Sequence, residues 1–286
     1  MRVSRIFTLS TAMFGISAVL PSFAWGNTYN IPAYDNASFS AYGSGWMTTP
    51  PANGGHGFQP WSFYQGDHGS YIPYTSAGIG NDPSIGSGPS NKVWSLTADD
   101  TANGNVSISA GREFDAPMQI NETFFVDMDI QTSDESLTSS TSVALALGST
   151  PTDFSDFSGS IPAFGLLSYG DDYYVVDNNG FLPTNFAVAN DPIHITFTLT
   201  DLDPVTGDNF TATITSISDP ANSESYSGIA GPVQFVQMEY SASSDSVTDT
   251  NISANFNRMG ITPLPQAAIA AAPLLAILAI GKLKRH

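Results

Sequence analysis

Cysteine is missing from all 286 positions, so disulfide staples, thiolate zinc sites and cysteine nucleophiles are excluded. Export is not, because a chain of this length can bury a core that stands without cross-links. Positive charge is almost as scarce. Of eight Lys and Arg residues, Arg2 and Arg5 lie at the start and Lys282, Lys284 and Arg285 at the end, which leaves Lys92, Arg112 and Arg258 against all 26 acids and a body charge near −23. A field of that sign repels phosphate backbones and excludes a nucleic-acid partner. Charged residues make up only 12% of the chain, about half of the roughly 25% usual in soluble domains. Also missing are a phosphate-binding loop, a dinucleotide fingerprint, a Gly-x-Ser-x-Gly nucleophile elbow and any internal repeat. What is there is 41% hydrophobic and 12% aromatic residues in a background rich in Ser, Thr, Asn and Gly. Such a chain can cover its ordering entropy, and it supports one folded domain of roughly 200–250 residues of the exported β type.

The two ends read as addresses. Residues 1–24 carry Arg2 and Arg5, the apolar run Ile6 to Leu20, and then Pro21-Ser22-Phe23-Ala24, a helix breaker before a small-x-small pattern. That is the layout of a secretory signal peptide, a short helix cut near Ala24. At the other end, residues 262–286 hold Pro263-Leu264-Pro265, the apolar stretch Ala267 to Ile280 and the basic cluster Lys282 to His286. Fourteen apolar residues give about 21 Å of helix, short of the roughly 30 Å hydrocarbon core. This C-terminal apolar helix is therefore a marginal span, with its basic cluster on the cytoplasmic side.

The order of Pro-rich motif, short apolar helix and terminal basic cluster resembles the C-terminal sorting signals of the PEP-CTERM class, with Pro263, Leu264 and Pro265 standing where that class usually has Pro-Glu-Pro. Thr262 and Gln266 replace the Val and Ala that flank the Pro-Leu-Pro variant. The resemblance implies a bacterium with an outer membrane, an exosortase-type processing enzyme as partner, and contact with the inner membrane through the C-terminal helix. A plain tail anchor is the other reading.

Between the ends, residues 25–261 lack the helical period, and alternating runs recur about every 8–15 residues. Ile193, Ile195, Phe197 and Leu199 fall on one face of a strand whose other face is His194, Thr196, Thr198 and Thr200. A second strand over 209–218 answers it with Phe210, Ala212, Ile214 and Ser216, and 201–208 is the turn of their hairpin. Further strands are expected over 38–46, 58–64, 92–97, 105–109, 123–131, 142–148, 164–169, 173–177, 233–241 and 251–260, with the Gly, Ser and Pro-rich stretch 78–90 as a surface loop. A dozen short antiparallel strands imply an all-β fold, a two-sheet antiparallel β-sandwich.

Asp35-Asn36-Ala37-Ser38, Gly45-Trp46, Asn53-Gly54-Gly55-His56-Gly57-Phe58-Gln59-Pro60-Trp61, Phe124 to Asp129 and Ile195 to Leu199 follow one another in this order. The series resembles a set of exported bacterial proteins, many ending in PEP-CTERM-type signals, whose expected fold is a concanavalin A-like jelly roll. The resemblance implies a fold and a destination; the group has no agreed activity.

Three constellations could carry chemistry. Asp127 and Asp129 share a strand face with Phe125, and the stretch is similar to the strand of laminarinase-type glycoside hydrolases, in which a Glu-x-Asp-x-Glu run supplies nucleophile and acid. Here the residue two before the aspartates is Phe125 and the one two after is Gln131, so both glutamates are absent, which leaves two weak catalytic candidates or a solvated strand face. Asp201, Asp203 and Asp208 crowd one turn with Gly207, oxygen ligands of the kind calcium takes and also ordinary turn residues. Trp46, Trp61, Tyr64 and Trp94 gather in the first third, either as a glycan-stacking platform or as core, with Gly54, Gly55 and Gly57 allowing a tight turn. The histidines define no metal cluster.

The function expected from these residues is that of a non-catalytic exported protein of the cell surface or exopolysaccharide matrix, structural or adhesive, with weak contacts to extracellular polysaccharide. A carbohydrate-active enzyme and a calcium-dependent lectin-like module are the alternatives.

Overall fold

The computed structural model describes residues 32–47, 51–66, 75–98, 106–131, 141–150, 163–170, 172–177, 180–188, 191–201, 209–242 and 252–263. The alternating runs form fifteen strands among these residues. They are β1 (Ala33–Asp35), β2 (Ser62–Gly66), β3 (Thr75–Asn81), β4 (Lys92–Ala98), β5 (Val106–Glu113), β6 (Thr123–Gln131), β7 (Thr141–Gly148) and β8 (Phe164–Tyr169). They continue with β9 (Asp172–Asp177), β10 (Gly180–Ala187), β11 (Ile193–Leu199), β12 (Phe210–Ser216), β13 (Ser223–Gly228), β14 (Phe235–Ala242) and β15 (Ser253–Thr262).

Two antiparallel sheets result. One has eight strands in the order β13-β12-β11-β6-β15-β4-β3, and the other seven in the order β10-β9-β8-β7-β14-β5-β2. The eighth strand of the larger sheet is β1. It shares one edge of β15 with β4: Ser253 to Phe256 pair with β4, and Met259 to Ile261 with β1. The fold is all-β, a two-sheet antiparallel sandwich.

Period-two alternation builds the core. Phe124, Val126, Met128 and Ile130 of β6 and Ile193, Ile195, Phe197 and Leu199 of β11 are buried between the sheets. Each contributes roughly 1.5–3 kcal/mol by leaving water. Rings join the layers: Phe164 of β8 lies 5.7 Å from Phe197, and Phe114 stacks 6.0 Å from Phe124.

The expected hairpin forms with Ile193 opposite Ser216 and Leu199 opposite Phe210, and the strands over 123–131 and 164–169 stand as read. Other expectations are corrected. Residues 38–46 are not a strand: Asn36 Oδ1 accepts the Ser38 N–H at 2.8 Å, which turns the chain into a short 3-10 turn at Ser40–Tyr42. Gly78 to Asn81 belong to β3 rather than to a loop, since Gly80 lies so close to Ser95 that a Cβ there would sit 3.0 Å from its side chain. The edge strand β13 carries almost no apolar alternation, and Pro183 lies in the edge strand β10, so neither shows the usual pattern. Among the described residues, no helix is long and apolar enough to cross a membrane. The signal segment 1–24 and residues 264–286, with Leu264, Pro265 and the C-terminal apolar stretch, lie outside the described residues.

The Asn53–Trp61 motif has a structural explanation. Arg112 of β5 points inward and forms a fully buried ion pair with Asp35 of β1. Its Nε donates to the Gln59 carbonyl at 3.0 Å and its Nη2 to Asn53 Oδ1 at 2.7 Å. The guanidinium lies 4.5 Å from the Phe58 ring centre and 4.8 Å from that of Trp61. Tyr42 Oη donates to Asp35, and Trp61 Nε1 donates to Tyr42 Oη at 3.1 Å. Gly57, at φ +77, lets this segment approach β1, where a Cβ would stand 2.2 Å from the Pro32 carbonyl oxygen.

Candidate functional site

Outside the core, the polar cluster of the larger sheet is built on the outward residues of β6. Asp127 stands opposite His194 of β11 and Asn257 of β15, and Asp129 opposite Asn255. The chain between β3 and β4 then folds over this row. Ile85 O accepts from Asn257 Nδ2 at 2.7 Å, and Asp82 Oδ2 accepts from Asn255 Nδ2 at 3.0 Å. The two carboxylates do share one face, but Asp127 is 0% and Asp129 4% exposed, so a solvated strand face is corrected to a covered one.

Asp127 is held from both sides. Its Oδ1 lies 2.6 Å from His194 Nδ1, and its Oδ2 accepts from Arg258 Nε at 2.5 Å and from Nη2 of the same guanidinium. A bulge in β15 makes this possible. Between Asn257 and Gly260 the register with β6 slips by one residue, and Arg258 takes φ +46, which turns its side chain outward toward the carboxylate. Buried and engaged at both oxygens by Arg258 and His194, Asp127 is not open to a sugar ring as a glycosidase carboxyl group must be.

Asp129 has a different neighbour. Ser84 Oγ lies 2.8 Å from Asp129 Oδ2 and also bonds Asp82 Oδ1, which accepts the Ser84 backbone N–H at 2.9 Å. Asp129 Oδ1 is buried with no hydrogen-bond partner. Burial pushes the Asp129 carboxyl up to about 6; the Ser84 hydroxyl opposes the shift and the adjacent Asp82 reinforces it. Asp82 is not among the residues the sequence singles out; its only signal is an Asp-x-Ser turn inside the Gly, Ser and Pro-rich stretch 78–90.

The aromatic platform is not a surface. Trp46, Trp61 and Trp94 are 0%, 1% and 0% exposed, with Trp46 and Trp61 edge to face at 4.9 Å and Trp61 and Trp94 at 5.5 Å. They pack on one another in the core and offer no ring to a sugar. Tyr64 stands opposite Ser109 on β2, and its side chain lies outside the described residues. Rings are exposed elsewhere. On the outside of the seven-stranded sheet, Tyr169, Tyr174 and Phe181 share a face with Leu167 and Val176, and Tyr169 and Phe181 are 54% and 53% exposed. The sequence pointed away from them because each lies beside a turn.

Asp201 is exposed at the end of β11, while Asp203 and Asp208 lie outside the described residues. Among the described residues, no three His, Asp, Glu or Cys side chains converge as a metal group. Pro263 is exposed directly after β15.

No protein family matches the chain, and no curated protein does. Solved structures similar to it include lectin II from Ulex europaeus (10% identity over 70% of this chain and 97% of that one, TM-score 0.38). Others are the legume lectin-like domain from Entamoeba histolytica (10%, 71% and 91%, TM-score 0.42) and the Ca2+/Man3GlcNAc-bound exoplasmic/lumenal domain of VIP36 (11%, 72% and 84%, TM-score 0.44).

Proposed function

We propose that this chain is a non-catalytic exported protein of the bacterial cell surface or exopolysaccharide matrix, with a structural or adhesive role and shallow contacts to polysaccharide. The observation that carries the reading is the commitment of Asp127 to Arg258 and His194 and the covering of Asp129. A glycoside hydrolase needs both carboxyl groups open to the sugar ring. The exposed rings Tyr169 and Phe181 suit stacking on a sugar face without chemistry.

The destination rests on the ends of the sequence. A signal peptide over 1–24 delivers the sandwich, and the Pro263-Leu264-Pro265 motif starts as β15 finishes at Thr262, where an exosortase-type enzyme would reach it. The C-terminal helix holds the chain at the inner membrane until then.

The test is a glycan array on the full chain in detergent, with and without calcium, followed by reducing-sugar assays on every glycan bound. Binding without release is expected. Release of reducing ends would overturn the non-catalytic reading, and a blank array would remove the polysaccharide contact. Mass spectrometry of the chain from its host checks the rest: retention of Lys282 to Arg285 in the mature protein argues against processing.

A further inference from the structure

The cluster of Asp82, Ser84, Asp129 and Asn255 does not balance. Four carboxylate oxygens share the Ser84 N–H, the Ser84 hydroxyl and the Asn255 amide as well-formed donors, with the Ile130 backbone N–H adding a weaker pull on Asp129. Ser84 Oγ touches an oxygen of each carboxylate, yet it carries a single hydrogen. With both carboxyl groups ionised, one of those contacts joins two oxygens with no hydrogen between them. Asp129 Oδ1 has no hydrogen-bond partner, in a side chain 96% buried by its 4% exposure. Asp129 Oδ2 and Asp82 Oδ1 meet at one hydroxyl, so the orphan oxygen belongs to a carboxyl already directed at its twin. Arg258, the cation that reaches the outward carboxylates of β6, is spent on Asp127. Two buried carboxylates without a counter-charge are costly by several kcal/mol per ion, in order of magnitude.

A proton or a metal ion could close the deficit. The donor set here is made of oxygen alone: two carboxylates, a hydroxyl and an amide that needs only a flip to present Oδ1. Soft or borderline metals favour nitrogen and sulfur, and magnesium demands a regular octahedron. A loop residue pair set against two strands offers the irregular, oxygen-only cage that calcium accepts, with water completing the six to eight ligands. We propose that Asp82, Ser84, Asp129 and Asn255 form a calcium site that pins the chain between β3 and β4 onto the outer face of the eight-stranded sheet. The site is separate from the Asp201 turn, and it holds whether or not the sandwich contacts polysaccharide.

The experiment is calcium titration of the full chain in detergent, after EDTA and dialysis, at pH 7.5, read by calorimetry and by thermal melting. One calcium per chain is expected at this site, with Tm rising by about 5 °C or more in millimolar calcium. Asp129→Asn and Asp82→Asn should each weaken binding by at least about tenfold and erase the rise, and Ser84→Ala should weaken it less. Asp201→Asn should leave the response intact. Each Asn variant removes one charge at constant volume, and its melt in EDTA reports folding independently of calcium. No heat and no rise in the wild type, a response that survives Asp129→Asn, or one abolished by Asp201→Asn would each overturn the site. A wild type indifferent to calcium, whose stability falls as pH rises through 6, would assign the pair to a shared proton instead.

Discussion

Two of the polar clusters buried among the described residues differ in charge balance. In the Asp35–Arg112 cluster, one carboxylate meets one guanidinium, and the remaining donors and acceptors are filled by Tyr42, Asn53, the Gln59 carbonyl and the Asn36 backbone. Burial pushes the Asp35 carboxyl up while Arg112 pulls it back, so that the pair stays mutually dependent. The Asp82–Asp129 cluster has two carboxylates and no cation. The first arrangement is what a fold uses to hold its own segments in place; the second is incomplete without something from solution. Fully satisfied buried networks fix structure, and under-satisfied ones mark a site.

Breaking the balanced cluster should have the largest effect. Arg112→Met leaves Asp35 buried without its partner and should cost about 3–5 kcal/mol, measured by chemical denaturation. The double change Asp35→Leu with Arg112→Met removes both charges and should recover much of that loss. If the double variant were as unstable as the single, the packing of Arg112 between Phe58 and Trp61, rather than its charge, would be the stabilising element.

The unbalanced cluster should respond in the opposite sense. Asp129 has a folded-state value near 6 against an ordinary 3.8, so its folded form holds its proton more tightly than the unfolded chain does. Its contribution to stability is therefore present below about pH 4 and is lost as pH rises through 6. In calcium-free buffer, Asp129→Asn should flatten this part of the pH–stability curve and be more stable than the wild type at pH 7.5 by on the order of 2–3 kcal/mol. Asp35 shifts in the same direction, so the difference between wild-type and variant curves is the measure, not either curve alone. Equal slopes would mean that Asp129 is ionised without penalty.

Much of the fold could be read directly from the chain. The β11–β12 hairpin announces itself because period-two burial leaves a plain apolar and polar alternation, while β6 and β8, buried on both faces over most of their length, show as short runs rich in apolar residues. The clusters were less legible. Asp127 and Asp129 could be placed on a common face from spacing, but what covers that face comes from Asp82, 47 positions before Asp129, and from Asn255, 126 positions after it. Asp35 finds Arg112 across a separation of 77 residues. No local rule encodes such partners, and the buried tryptophans mislead for the same reason: an aromatic beside glycines looks alike whether the loop lies under it or over it.

Arg258 offers a smaller test of the same contrast. Half exposed at 49%, it neutralises Asp127 from a left-handed backbone position. Arg258→Ala keeps the unfavourable φ and loses the ion pair, and should destabilise by about 1–2 kcal/mol. Arg258→Gly loses the same pair but relieves the backbone, and should lie about 1 kcal/mol closer to wild type. Equal melting temperatures for the two variants would show that the bulge is not under strain.

The smallest effect on stability, and the one most relevant to function, is expected at the exposed rings. Tyr169 and Phe181 lie on the outside of the seven-stranded sheet with more than half their surface in water, so replacing Tyr169 with alanine removes little buried area and should change stability by less than about 0.5 kcal/mol. A sugar stacked on that ring would lose its platform, and binding to whichever glycan the array identifies should fall by about fivefold or more, since an aromatic contact contributes about 1 kcal/mol beyond area. Trp94→Phe, by contrast, alters a ring that no ligand reaches and should shift the melting temperature while leaving affinity unchanged. The reverse pattern, affinity lost at Trp94 and kept at Tyr169, would move the contact surface back to the buried aromatic cluster and require the core there to open.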